Sequence, residues 1–537
     1  MKKFNIRITT LLFTLLLVMV SCTDLSENPY GEITQKNFNP TQKDIPRLVA
    51  PVYTPLRGFM ACCYGFVTMQ ASASDEFLTP GRPNGWGGPY IPYHRFKWDP
   101  NHPYVTANWS TFYDGINAAN RVLYQIQSGL VTPSSDQAKA SLVAEIRAAR
   151  AFYYYLLMDN YGSVPLVTDF QAKGLPSQSS RKEIYNFVVS ELKDAIPDLP
   201  EAADQSTYGR MNKWAAKTVL ADVYLNATVY LDDTPNTVEN TGSPQWDKVL
   251  QQTNDIINSG KYHLTSDYHQ NFSRDNQNSS EIIFAVPYDE VNAPGNTMHM
   301  RVLAPVQQQI YGMKAQPWGG SAAVPQFINS YNSNDKRLED TWAGGPQIDA
   351  AGDTLINFKN NLDNIEQADF DQGWRLTKYE IYQGMSYSSD VDLPIYRYAD
   401  VLMMKAEALL RTGRASEAAQ IVTKVRQRDF DDPTKAEVTG AELQQGSNYN
   451  YGYWENGQVT NAQGGGDIKY GRFLDELGWE FAVEGHRRQD LVRFGVFSTK
   501  SWFNKKASVS RPCESVFPIP YPALNSNKNL KQHPCYQ

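Results

Sequence analysis

The feature that most restricts how this chain folds is a helical period that recurs in pairs. Residues 398–411 and 415–428 flank a turn at Gly413, and Leu402, Ala406, Leu409, Ala418 and Val425 fall at helical spacing along them. Small and large apolar residues mixed on one stripe let two antiparallel helices approach closely. The same period runs through residues 108–128 (Trp109, Phe112, Ile116, Ala119 and Leu123), 140–161, 181–199, 212–231 and 245–259. Gly162 with Pro165 stops the second of these, and Gly260 stops the last. A final helix is predicted over 473–494. One hairpin leaves an apolar face open, whereas a row of hairpins buries it, so the expectation is a stacked helical scaffold.

The small-and-large spacing in 398–428 is that of a tetratricopeptide-type hairpin. The expected fold is mainly α: such hairpins stacked as a scaffold over about 108–260 and 395–494, with a loop-rich region and minor β. Two stretches make the loop-rich region, about 66–103 and about 265–394. The first contains Pro83-Asn84-Gly85-Trp86-Gly87-Gly88-Pro89-Tyr90, and the second is polar and dotted with Asn, Gly, Trp and Tyr. Loops this long are usually functional and are mounted on one side of a rigid frame. Phe, Trp and Tyr make 12% of the chain, many beside Gly, Asn and Pro instead of in periodic runs, which suggests rings that stack on a ligand.

The N-terminus restricts location. Lys2, Lys3 and Arg7 precede an apolar run, Leu11 to Val20, that ends in Ser21-Cys22. A basic start, a short apolar stretch and a small residue before a cysteine read as a secretory signal of the bacterial lipoprotein kind, with residues 1–21 removed. The run is too short to span a bilayer. Cys22 then carries the lipid, residues 22–39 form a polar tether, and residues 40–537 form the body, held at an outer membrane through that anchor.

Composition excludes other classes. The chain has 57 acidic against 50 basic residues and no basic stripe, so nucleic acid is not an expected partner. No His/Cys cluster has metal-site spacing, and no cofactor motif is present. Cys62-Cys63 reads as packing. A Cys513–Cys535 disulfide is compatible with an extracytoplasmic location, but spacing alone does not establish it. Glu476, Glu480 and Glu484 recur every four residues just before Arg487, Arg488, Asp490 and Arg493, which reads as an ion-pair network. A glycosidase needs two acids facing each other across a sugar, and three on one stripe do not create that geometry. No catalytic residue is therefore assigned.

Several blocks carry a family resemblance. They are Cys22-Thr23-Asp24-Leu25-Ser26-Glu27-Asn28-Pro29; Ala144 to Tyr154 with Tyr161-Gly162-Ser163-Val164-Pro165; and Pro394 to Leu402 with Lys405-Ala406-Glu407-Ala408. The strongest is Glu484-Gly485-His486-Arg487-Arg488-Gln489-Asp490-Leu491-Val492-Arg493, and Phe517-Pro518-Ile519-Pro520 with residues 527–534 closes the series. Their order spans nearly the whole chain, which resembles the SusD/RagB family of outer-membrane lipoproteins of Bacteroidota. Cys535 stands where a glycine is usual, and Gly478-Trp479 replaces a charged pair. The resemblance implies a non-catalytic binder at the cell surface. Such a protein captures an oligosaccharide or polysaccharide and passes it to a SusC-like TonB-dependent transporter; some relatives take peptides. The alternatives are a peptide-binding RagB-like protein and, from another class, a surface glycosidase.

Sugar rings offer C–H faces to aromatic side chains and hydroxyl rims to polar ones. Trp86, set among Gly85, Gly87 and Gly88, and Trp318, followed by Gly319 and Gly320, are the first candidates for a stacking platform. Tyr90, Tyr93 and Trp342 follow. Asp75, Glu76, Arg82 and Asn84, then Arg375 and Tyr387, are candidates for hydrogen bonds to the rim.

Overall fold

A computed structural model describes residues 40–232 and 240–537. The expected signal segment 1–21, the lipidation site Cys22 and the tether 22–39 lie outside the described residues. Seven long helices form the frame: α1 (Pro103–Gln127), α2 (Asp136–Tyr161), α3 (Arg181–Ala195), α4 (Lys213–Leu225), α5 (Trp246–Asn258), α6 (Tyr398–Arg411) and α7 (Ala415–Arg426). Local chemistry sets their ends. Ser135 accepts from the Ala138 amide at the start of α2, and Ser180 with Glu183 forms a reciprocal capping box on α3. Asn212 accepts from the amides of Trp214 and Ala215 at the start of α4. Gly162, at φ +67°, ends α2.

α1 packs on α2 and α2 on α3; α4 packs on α5, α5 on α6, and α6 on α7. The α1/α2 contact is set by one glycine: a Cβ on Gly115 would lie 2.2 Å from the Tyr153 ring. Tyr153 therefore crosses α1 and donates to the Val52 carbonyl at 2.6 Å. Tyr155 and Tyr396 both donate to the buried Asp222, which ties α2, α4 and the segment before α6 together.

The strands named here are paired in twos. β1 (Ile282–Val286) runs antiparallel to β2 (Leu393–Arg397), and β2 leads directly into α6. The long loop-rich excursion thus leaves the frame at β1 and rejoins it at β2. Phe77–Leu78 pairs with Ala322–Ala323, which fastens the first loop-rich stretch to the second. The mainly α fold with minor β matches the expectation.

The single helix expected over 473–494 is two, α8 (Gly471–Glu480) and α9 (Arg487–Arg493). Between them Val483 adopts φ +56° and Gly485 φ +95°. The break swings Glu484 off the α8 stripe onto Arg397, whose Nε and second terminal nitrogen donate to it at 2.8 Å each. Lys378 also reaches Glu484, at 2.6 Å. Glu480 accepts from Arg397 at 2.9 Å and Arg337 at 3.1 Å, and also from Arg428. Glu476 binds Arg337 and Arg472, at 3.1 and 2.7 Å, together with Arg426. Arg493 clamps Glu407 of α6 with two bonds of 2.9 and 2.8 Å. Such two-pronged contacts fix angle as well as distance. Glu476, Glu480 and Glu484 thus join the frame to the loop-rich region, each with both oxygens held by cations.

Candidate functional site

Three rings meet at the surface of the loop-rich region. Trp86 and Trp318 lie 6.4 Å apart between centroids with their planes 38° apart. Tyr387 meets Trp318 edge-on at 5.8 Å and 63°. Both tryptophans are half-buried, and Tyr387 is 52% exposed. The rings form a bent row, not a flat wall.

The backbone explains why they meet. Gly85 and Gly87 adopt φ +94° and +118°, a turn that L side chains resist and that presents Trp86. Gly320 lies flat under the Trp86 ring, where a Cβ would come within 2.6 Å of it. Asn84 crosses to the other loop and donates to the Trp318 carbonyl at 2.7 Å. Two buried arginines tie the loops together. Arg82 donates to the carbonyls of Gly320 at 3.2 Å and Gln372 at 3.0 Å, and to that of Asp369. Arg375 donates to Ser321 at 2.7 Å and Phe370 at 2.6 Å. Burial pulls the Arg82 guanidinium down to about 9, against the charges of Asp371 and Asp369. The bonds that both arginines make go to backbone carbonyls, which would be costly to leave alone; Arg82 keeps one terminal nitrogen, and Arg375 its Nε, without a partner.

Other candidates sit deeper than a ligand reaches. Asp75 is 0% exposed and takes two bonds from Arg487, at 2.7 and 2.8 Å, and one from the Tyr451 hydroxyl. Glu76 is equally buried and accepts from the Val483 amide. Burial pushes its carboxyl up to about 8, with Arg487 and that amide pulling the other way. Tyr93 is buried and donates to the Met69 carbonyl. Trp342 is 2% exposed, packed edge-on against Phe327, and offers no face to solvent. These four, with Arg82 and Arg375, are corrected from candidate ligand contacts to parts of the framework. Tyr90 is buried too, but its ring stands 5.3 Å behind Trp86 and supports it. Of the residues singled out, the structure brings together Trp86, Trp318, Tyr387 and Asn84.

Two contributors escaped the sequence reading. Tyr64, at φ +68°, stacks on Tyr90 at 5.8 Å and continues the row inward. Arg301 is fully buried, with its guanidinium 5.2 Å from the Trp86 ring and 4.7 Å from the Tyr90 ring. A lone arginine within Met298-His299-Met300-Arg301-Val302 was the available signal, since a charge inside an apolar run needs a buried partner. Among the described residues no group of three or more His, Cys, Asp or Glu is placed to hold a metal ion.

Comparison with known proteins places the chain in a family. The model of the SusD family matches residues 232–536. The chain belongs to the SusD family. A second family model, described as starch-binding and associating with the outer membrane, matches residues 91–225. The starch-binding protein SusD of Bacteroides thetaiotaomicron is 25% identical over 444 residues, covering 73% of this chain and 72% of that one. Surface glycan-binding protein A from Bacteroides thetaiotaomicron superposes with a TM-score of 0.71 at 20% identity, over 93% of this chain and 99% of that one. A structure of the same name in complex with laminarihexaose gives 0.67 at 21% identity, over 92% and 99%. The SusD fold is thereby established for this chain.

Proposed function

We propose that this SusD-family chain is a non-catalytic, cell-surface glycan-binding lipoprotein that takes up an oligosaccharide or polysaccharide across the Trp86–Trp318–Tyr387 row. The observation that carries the reading is that row itself: three rings from separate loops, partly open to water, on arginine-braced backbone. A sugar laid on it stacks its C–H faces on the tryptophans, with Asn84 and the Tyr387 hydroxyl beside its rim. The naming of one relative as starch-binding and of another as a complex with laminarihexaose supports a glycan cargo. Each contact gains little net energy, so affinity is modest and is raised by repeated engagement along a polymer. Lipidation at Cys22 holds the protein on the outer membrane, where a SusC-like TonB-dependent transporter receives the cargo.

The test is affinity electrophoresis of the exported protein in gels cast with plant, microbial and host polysaccharides. Retardation by one polymer class, lost in Trp86→Ala and Trp318→Ala, is the expected result. No retardation by any glycan overturns the reading and directs the search to peptide cargo. Release of reducing ends from a retarding polymer would instead establish a glycosidase.

A further inference from the structure

Pressed against the inner side of the aromatic row are two adjacent cysteines and a cation. Cys62 and Cys63 lie in the turn between the 3-10 segment Thr54–Met60 and the helix Phe66–Ser72. Their backbone is held from outside: the Cys62 amide donates to Thr297 Oγ1 at 2.7 Å, and the Cys62 carbonyl accepts from Arg301. The two sulfurs are 3.1 Å apart, roughly 1 Å beyond bonding distance. Arg301 spends its remaining donors on Ser321 Oγ at 2.6 Å and Thr79 Oγ1 at 2.7 Å. Among the described residues no carboxylate pairs with it, so its charge is left to act on neighbouring thiols.

The two thiols are made unequal by this setting. Cys63 is half-buried and touches the Tyr90 hydroxyl. The hydrogen bond from Cys62 pulls the Cys63 thiol down to about 6; burial opposes this, and Arg301 and Tyr90 add to it. Cys62 is buried and shifts upward, first through the same bond. A thiolate with a partner thiol in contact is the arrangement that disulfide exchange requires. The Cys513–Cys535 disulfide shows that the fold accommodates oxidised sulfur elsewhere.

We propose that Cys62 and Cys63 are a modification site at which disulfide-bearing oxidants close a vicinal disulfide behind the aromatic row. The Cys63 thiolate attacks one sulfur of the oxidant's disulfide, forming a mixed disulfide and expelling the other sulfur as a thiolate. That thiolate takes the Cys62 proton, and Cys62 then attacks Cys63 Sγ and releases the second sulfur, which is protonated from water. Counting the proton that Cys63 gives to water when it ionises, the pair loses two electrons and two protons; the oxidant gains both and leaves as two thiols. Closure removes the Cys62 sulfhydryl that meets the Tyr387 hydroxyl. The chemistry requires no glycan and stands whether or not the row binds one.

The test is mass spectrometry of the full chain after export, unfolded in the presence of an alkylating agent without reductant and then digested. The peptide holding Cys62 and Cys63 is expected unalkylated and lighter by two hydrogens, and doubly alkylated after reduction. The Cys513–Cys535 peptides report whether the preparation met oxidising conditions. If those remain protected while Cys62 and Cys63 are both alkylated, even after incubation with oxidised glutathione, the proposal is overturned. The inequality has its own readout: with oxidised glutathione, C62S is expected to take up glutathione at Cys63 several-fold faster than C63S does at Cys62. Equal rates would remove the assigned roles.

Discussion

Trp86 leans on Gly320 and Arg301 yet keeps part of its ring in water, whereas Trp342 is enclosed between Phe327 and the short strand pair it shares with Leu376. The same side chain therefore serves two purposes, and two assays separate them. Trp86→Ala and Trp318→Ala are each expected to weaken polysaccharide retardation by about 1–2 kcal/mol, roughly five- to thirtyfold, with little change in unfolding midpoint. Trp342→Ala is expected to do the reverse, lowering stability by about 3–5 kcal/mol in a urea titration. Asn84→Ala belongs with the first pair, since its bond to the Trp318 carbonyl lies at the exposed edge. Glycine neighbours made Trp86 and Trp318 legible in the sequence, because a ring flanked by positive-φ backbone has little core to enter. Trp342 carried no such mark: burial in a two-residue strand follows from contacts with residues distant in sequence.

Among the elements, the frame was readable and the braces were not. The expected span 398–411 coincides with α6, because Asp400 caps its start and Gly413, at φ +81°, turns the chain after it. Residues 473–494 also have helical spacing, yet Val483 leaves the helix so that Glu484 can meet Arg397 and Lys378, and tertiary charge overrides local propensity. Arg82 and Arg375 read as polar loop residues because, Phe370 apart, the carbonyls they serve lie far along the chain. Arg375→Met is accordingly expected to leave the Ser321 and Phe370 carbonyls without that donor and to cost about 1–3 kcal/mol. Hydrogen exchange at residues 318–321 should quicken, and retardation should weaken although every ring is intact. The angles of 38° and 63° between neighbouring rings also bear on cargo. Rings turned through these angles offer no single flat face, so a flat β-1,4 ribbon is expected to be retarded less than a coiling polymer in the gel panel, and the reverse order would contradict that.

At the level of the whole molecule, the buried ion network sets the response to acid. Burial opposes the charge on Glu476, but Arg472, Arg426 and Arg337 outweigh it and hold the carboxyl down to about 2, against 4.5 in the unfolded chain. A depressed carboxyl contributes stability that is present above its unfolded value and is lost as pH falls towards the folded one. Urea titrations from pH 5 towards pH 2 should show falling stability, with a shallower fall in Glu476→Gln. Glu480→Gln leaves Arg337, Arg397 and Arg428 short of a shared counter-charge and is expected to cost about 3–5 kcal/mol at neutral pH. The arginine braces have a consequence on another timescale. Arg82 and Arg375 grip main-chain oxygens, which every residue type supplies, and they grip no side chain of the aromatic row. A ring on any of the three loops can therefore be replaced without removing the braces beneath, so under the proposed function cargo preference can change while the architecture stays.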